Sequence, residues 1–339
     1  MTADGRASTT ASVGLNPKLY QQDVEQEAIR VGFGRGLVEA GRRNPQVVAL
    51  CADLKESTKM DGFAKAFVDR YVEIGVAEQN LVTVAAGMAL AGKIPFVSSY
   101  AAFSPGRNWE QIRTTICLND TNVKIVGSHA GVSVGPDGGT HQMLEDIALM
   151  RVLPNMRVVV PCDSLEAEKA TIAVATSDGP VYIRLARDKT PVVTTSATPF
   201  TLGNAQVLRE GTDLTLVACG PMVYHALVAA EALSAKGITA DVINCATVKP
   251  LDHLTILASA RKTGIVMTAE EAQVAGGLGG AVAELLGEHE PLPLIRVGMH
   301  DRFGESGDPQ QLLEHFELTG PHIARLAETV VSRRRPEHT

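Results

Sequence analysis

Short apolar runs alternate with segments of helical period along most of this chain, and that alternation limits the possible folds more than any other feature. Strands are predicted at 47–51, 71–75, 96–99, 123–126, 157–160 and 181–184, with helices over 23–40 (closed by Gly41) and 78–91. Residues 188–201 break the rhythm: Pro191, Pro199 and several threonines leave no helical period, which predicts a linker across the surface. The alternation then resumes, with strands at 214–218, 240–244 and 265–268, helices at 222–235 and 254–262, and a closing helix over 309–332. The prediction is an α/β protein of two α/β domains, the first with a mostly parallel sheet covered on both faces by helices. The expected divisions are a disordered tail 1–16, a first domain 17–187, a linker 188–201, a second domain 202–332 and a basic tail 333–339.

Composition narrows the function. The 339 residues are 45% apolar, enough for sizeable cores, and carry a net charge of −7, which is no footprint for nucleic acid. No apolar run approaches the roughly 20 residues needed to span a bilayer. The first fourteen residues lack the apolar stretch of a secretory signal, and acidic Asp4 beside a lone Arg6 argues against a transit peptide. Cys51, Cys117, Cys162, Cys219 and Cys245 are scattered, without metal spacing, and read as buried reduced thiols. A cytoplasmic protein is expected.

In open parallel sheets, ligands bind beyond the carboxyl ends of the strands. Asp53, Glu78, Tyr100 with Phe103, His129 and Arg187 all fall just there in the first domain. After His129 comes a loop rich in glycine and polar groups, from Gly131 through Asp137 to His141 and Gln142. Such a loop brings backbone and side chains close to a ligand, although a turn-rich connection with a structural Asp fits the composition equally well.

These residues carry a resemblance. Ile74-Gly75-Val76-Ala77-Glu78-Gln79-Asn80, the loop from Ser128-His129 to His141-Gln142, Leu153-Pro154-Asn155 and Leu185-Ala186-Arg187 resemble the pyrimidine-binding domain of transketolase. From about residue 20 to 332 the chain is similar to the second half of a transketolase, a pyrimidine-binding domain followed by a transketolase C-terminal domain. The resemblance implies thiamine diphosphate as cofactor, with Glu78 at its pyrimidine ring nitrogen, Tyr100 and Phe103 as the aromatic wall, and Asp53 as a buttress of the pocket. Glu78 would need a dry site that raises its pKa. Arg30, Ser57, His129 and Arg187 match contacts to the phosphate end of a sugar. Asp137 matches a group that recognises a sugar hydroxyl, and His141 one near the donor's reactive end. Glu78, His129 and His141 are thus the catalytic candidates. Gly106 stands where many transketolases carry another aromatic, so the wall is expected to be thinner or to be completed by Trp109. The remaining histidines read as ordinary surface or core residues. The glycine cluster 276–280 fails nucleotide-loop spacing and is expected to be a helix-entry turn.

The family's metal motif, Gly-Asp-Gly followed by Asn, is absent from this sequence. The resemblance therefore implies that no metal is held by this chain. A partner, an N-terminal transketolase subunit, would bind the divalent cation (Mg) and the diphosphate, and two of each chain would form an alpha2beta2 heterotetramer acting on sugar phosphates. Competing expectations are a deoxyxylulose-phosphate-synthase-like enzyme, a 2-oxo-acid dehydrogenase beta-type chain and a non-catalytic transketolase-derived partner.

Overall fold

The computed structural model describes residues 14–334. The first domain begins with a three-residue strand, β1 (Gln26–Ala28), that runs into helix α1 (Ile29–Arg43). Then come β2 (Val47–Cys51), α2 (Asp61–Ala66), β3 (Tyr71–Glu73), α3 (Glu78–Leu90) and β4 (Ile94–Tyr100). A one-turn α4 (Trp109–Gln111) passes into a π-helical turn, Ile112–Cys117, before β5 (Lys124–Ser128). The domain is completed by α5 (Asp146–Arg151), β6 (Arg157–Val159), α6 (Ser164–Ala175), β7 (Val181–Arg184) and β8 (Lys189–Pro191). The second domain comprises β9 (Gln206–Arg209), β10 (Leu214–Ala218), α7 (Met222–Ser234), β11 (Ala240–Asn244), β12 (Thr247–Lys249), α8 (His253–Thr263), β13 (Val266–Gln273), α9 (Leu278–His289), β14 (Leu294–Met299), α10 (Pro309–His315) and α11 (Gly320–Arg334).

Beside a two-stranded β1-β8 pair, the two main sheets have the predicted α/β character. The larger runs β12-β6-β7-β5-β4-β2-β3, and all its pairings are parallel except β12 with β6. The smaller runs β14-β13-β10-β11-β9, with only β9 antiparallel. On one face of the large sheet α1 and α6 approach so closely that a Cβ at Gly32 would lie 1.7 Å from Ser164 O, so only glycine fits there. On the other face Leu81, Val82 and Ala85 of α3 join a cluster that runs without interruption into Val217, Ile243, Val266 and Leu278 of the second domain. One apolar core therefore spans both domains.

Four expectations need correction. Residues 26–28 are extended rather than helical because they pair with 189–191, and α1 continues past Gly41, where Phe63 and Phe67 press too closely for a side chain. The supposed linker is built in: Val192, Val193 and Thr194 are buried, and Asp163 accepts from the Val193 and Thr194 N–H groups at 2.8 and 2.5 Å. Within the expected tail, Leu15 bridges to Thr194 and Asn16 N–H bonds Val193 O at 2.9 Å; residues 1–13 lie outside the described residues. The closing helix is two helices, with Glu317 at φ +61° between them, and α11 runs to Arg334; residues 335–339 of the expected basic tail lie outside the described residues.

Candidate active site

The carboxyl edge of the large sheet gathers most of the predicted residues. β3 ends at Glu73, Gly75 turns the chain at φ +78°, and α3 opens directly on Glu78. Glu78 is only 4% exposed at the helix N-terminus, where the macrodipole favours a negative group. It has a charged partner and a second contact through its backbone. Arg107 Nη1 lies 3.3 Å from each of its oxygens, and Asn108 Nδ2 donates to its backbone carbonyl at 2.8 Å.

Beside Glu78 stands a wall of rings. Tyr100, at the end of β4, stacks on His129 with centroids 3.9 Å apart and on Phe103 at 5.9 Å. His141 meets Tyr100 and Phe103 edge-on at 6.4 and 5.4 Å. The Arg107 guanidinium lies over Phe103, 4.2 Å from its centroid. His129 sits just past β5 at φ +59°, with Nδ1 2.9 Å from Ser128 Oγ. Burial, then the charges of Arg30 and Arg187, push its pKa down to about 3, so its imidazole is neutral at physiological pH.

Next to His129 two cations meet. Arg30, on α1, donates to Arg187 O at 3.0 Å and to Ser57 O at 2.8 Å; Arg187 donates to Val134 O at 2.9 Å. Burial and the neighbouring Arg187 charge lower the Arg30 pKa. Two neighbouring guanidiniums anchored on carbonyl oxygens have the chemistry to bind an anion.

The loop after His129 is clamped by the second domain. Its single 3₁₀ turn, Val132–Val134, presents Ser133 N–H to Glu271 Oε1 of β13 at 2.6 Å. Gln142 Nε2 donates to Val132 O at 3.0 Å and to Glu305 O at 2.8 Å. Glycines at 135, 138 and 139 admit the segment 304–309; a Cβ at Gly139 would lie 2.9 Å from Gly304 O. Beneath the loop, Arg184 and Tyr182 converge on buried Asp146, at 2.9 and 2.7 Å from Oδ2, and Arg184 also bonds Glu271 O at 2.8 Å.

Glu78, Tyr100, Phe103, His129 and His141 thus lie in one contiguous group, joined by His129 to Arg30, Ser57 and Arg187. Asp137 is exposed on the same loop. Asp53 is exposed at φ +59° just past β2, where its N–H bonds Glu73 Oε1 at 2.8 Å; this contact ties it to Glu73 and not to the rings. Trp109 does not complete the wall, since its Nε1 donates to Leu149 O at 2.8 Å. Gly106 is required by its turn: a Cβ there would lie 1.9 Å from Ala102 O. Arg107, Asn108 and Glu271 are the site residues that sequence reasoning missed. For Arg107 the available signal was a basic residue four positions after Phe103, in the turn that follows a strand ending on an aromatic. The glycine cluster is filled by the chain itself, as Glu270 accepts from Leu278 and Gly279 N–H groups at 2.8 and 2.7 Å.

Fold and site together define a two-domain α/β protein of the kind that presents a glutamate and an aromatic wall at a parallel sheet edge. Comparison with known proteins places it further. Residues 25–193 match the pyrimidine-binding domain of transketolase and residues 203–323 its C-terminal domain. The chain is 44% identical over 315 residues to a 6-deoxy-6-sulfo-D-fructose transketolase subunit of a Clostridium species, covering 93% of this chain and 98% of that one. A subunit of the apulose-4-phosphate transketolase of Phocaeicola vulgatus is 37% identical, over 90% of this chain and 98% of that one. Among solved structures, one described as a split gene transketolase, inactive beta4 tetramer, superposes with a TM-score of 0.83 at 46% identity, covering 91% and 99% of the two chains. The transketolase of Campylobacter jejuni, at 22% identity and a TM-score of 0.78, shares the fold over 50% of its length. The chain belongs to the transketolase family, as its C-terminal section.

Proposed function

We propose that this chain is the C-terminal subunit of a two-subunit transketolase, moving a two-carbon ketol unit between sugar phosphates with thiamine diphosphate as cofactor. One observation carries the reading: the ring group that Arg107 links to the buried Glu78 carboxylate includes His129, which in turn neighbours the charges of Arg30 and Arg187. Such a group suits a substrate that has both a reacting end and a charged end. The residues fit the pyrimidine end of the cofactor, because a planar cation, the Arg107 guanidinium, already lies against both the ring of Phe103 and the carboxylate of Glu78.

Thiamine diphosphate supplies the acidic carbon and electron sink that ketol transfer requires. The chain's own residues do the rest. Glu78 holds a proton at the pyrimidine ring nitrogen, and Tyr100 and Phe103 orient the ring. His129, neutral beside two guanidiniums, offers a hydrogen bond and no charge. Arg30, Arg187 and the Ser57 segment grip the phosphate end. Asp137 and His141 face the hydroxyls and the reacting end of the sugar, and Asp53 buttresses the pocket only through Glu73, whose carboxylate takes both the Asp53 N–H and the Gly75 N–H of the turn before Glu78.

The diphosphate and its divalent cation are assigned to a separate N-terminal subunit in an alpha2beta2 assembly. The absence of Gly-Asp-Gly from this sequence supports this, as do relatives of matching length that are themselves named as subunits. The test is reconstitution. The purified chain alone should fold without ketol transfer; adding a matched N-terminal subunit, thiamine diphosphate and magnesium should restore it. Robust turnover by the chain alone would overturn the two-subunit reading.

A further inference from the structure

We infer that Arg107 holds the pyrimidine seat in the cofactor-free chain and must swing away for the cofactor to enter. This deepens the function proposed above and rests on it. The geometry is specific. Arg107 Nη1 sits 3.3 Å from both Glu78 oxygens, and the guanidinium lies 4.2 Å from the Phe103 centroid. A flat, nitrogen-bearing group that stacks on this wall and bonds this carboxyl is also what the aminopyrimidine is. The two therefore compete for one place.

Three features make Arg107 suited to the task. Its side chain is 53% exposed, whereas that of Glu78 is 5% exposed, so the arginine can leave toward solvent while the glutamate stays. Its backbone is held by Phe103, whose carbonyl accepts the Arg107 N–H at 2.9 Å, so the side chain pivots from a fixed base. Gly106 keeps the turn before it free of side-chain bulk. The pair also answers a physical need, since a carboxylate this buried without a cation or a ligand would carry a desolvation cost. Arg107 meets that need until the cofactor does.

A residue that occupies the seat lowers the apparent affinity of the cofactor by the fraction of molecules in which it sits there. Two measurements made on the same variants separate this from a plain structural role. In the isolated chain, a double-mutant cycle with Arg107→Ala and Glu78→Gln in chemical denaturation should reveal favourable coupling, with Arg107→Ala less stable than wild type. In the complex with the N-terminal subunit, Arg107→Ala should bind thiamine diphosphate about 3- to 10-fold more tightly by fluorescence titration, and Arg107→Lys, which keeps charge but not the flat fork, should fall between. A merely structural arginine would lower both stability and affinity. Unchanged or weaker cofactor binding in Arg107→Ala overturns the inference, and so does absence of coupling to Glu78. A wild-type complex that binds no cofactor overturns the function reading itself, while leaving the Arg107–Glu78 coupling measurable.

Discussion

At His129 three effects add in one direction. Burial, Arg30 and Arg187 each disfavour the imidazolium, and together they push the pKa to about 3. Positive charge around His129 therefore comes from the arginines. If Arg187 grips the phosphate end, Arg187→Ala in the reconstituted complex should raise KM for phosphorylated sugars by about 10- to 150-fold, the equivalent of one lost charged hydrogen bond of about 1.5–3 kcal/mol. KM for unphosphorylated sugars should move much less. Equal effects on both would remove Arg187 from the phosphate site. The same residue-level logic explains Gly106: close approach to Ala102 O excludes any side chain there.

Among the elements, the turn Val132–Val134 depends on partners from two directions. Arg187 takes Val134 O from the end of β7, and Glu271 takes Ser133 N–H from β13. The second domain thus braces the loop that carries Asp137 and His141. Glu271→Ala leaves the Ser133 amide without its acceptor. It should speed amide hydrogen exchange at Ser133 and its neighbours in the isolated chain by about tenfold or more, as expected for a buried hydrogen bond of about 1.5 kcal/mol. Unaltered exchange through residues 131–142 would show that the loop holds its own shape. Elsewhere Glu270 performs the comparable task at the N-terminus of α9, and its carboxyl is pushed up to about 7 by burial.

For the whole molecule, the continuous core and β12, a second-domain strand on the first domain's sheet, join the domains into one packed body. Its response to acid is set by buried groups of opposite sign. His225 is pushed from 6.5 to about 4 by burial. Between these values the unfolded chain binds more protons, so its stabilising effect, present above pH 6.5, is lost as pH falls toward 4. Glu166 and Glu270, raised from 4.5 to about 7, act in reverse: the folded chain binds more protons between those values, so acidification favours it. The bulk pH profile is therefore flattened. The His225 contribution shows in the difference between wild type and His225→Gln, which should move in the variant's favour by roughly 1–3 kcal/mol from pH 6.5 to 4. A difference independent of pH would mean that His225 titrates normally when folded.

The sequence by itself determined the class of fold, because period-2 and period-3.6 patterning belongs to local segments: strands 47–51, 181–184, 214–218 and 240–244 have the predicted bounds. It also placed Glu78, Tyr100, His129 and Arg187 at strand ends, where chain position alone brings polar groups to a sheet's carboxyl edge. Tertiary structure decided what depends on distant partners. Residues 26–28 became a strand only because 189–191 lie beside them, and the threonine-rich stretch became interior only because the Asp163 carboxylate was there to receive its amides. Whether Glu78 stands alone or under a guanidinium depends on where the Arg107 side chain swings, and whether Glu271 serves the loop after His129 depends on two domains meeting; local periodicity carries neither.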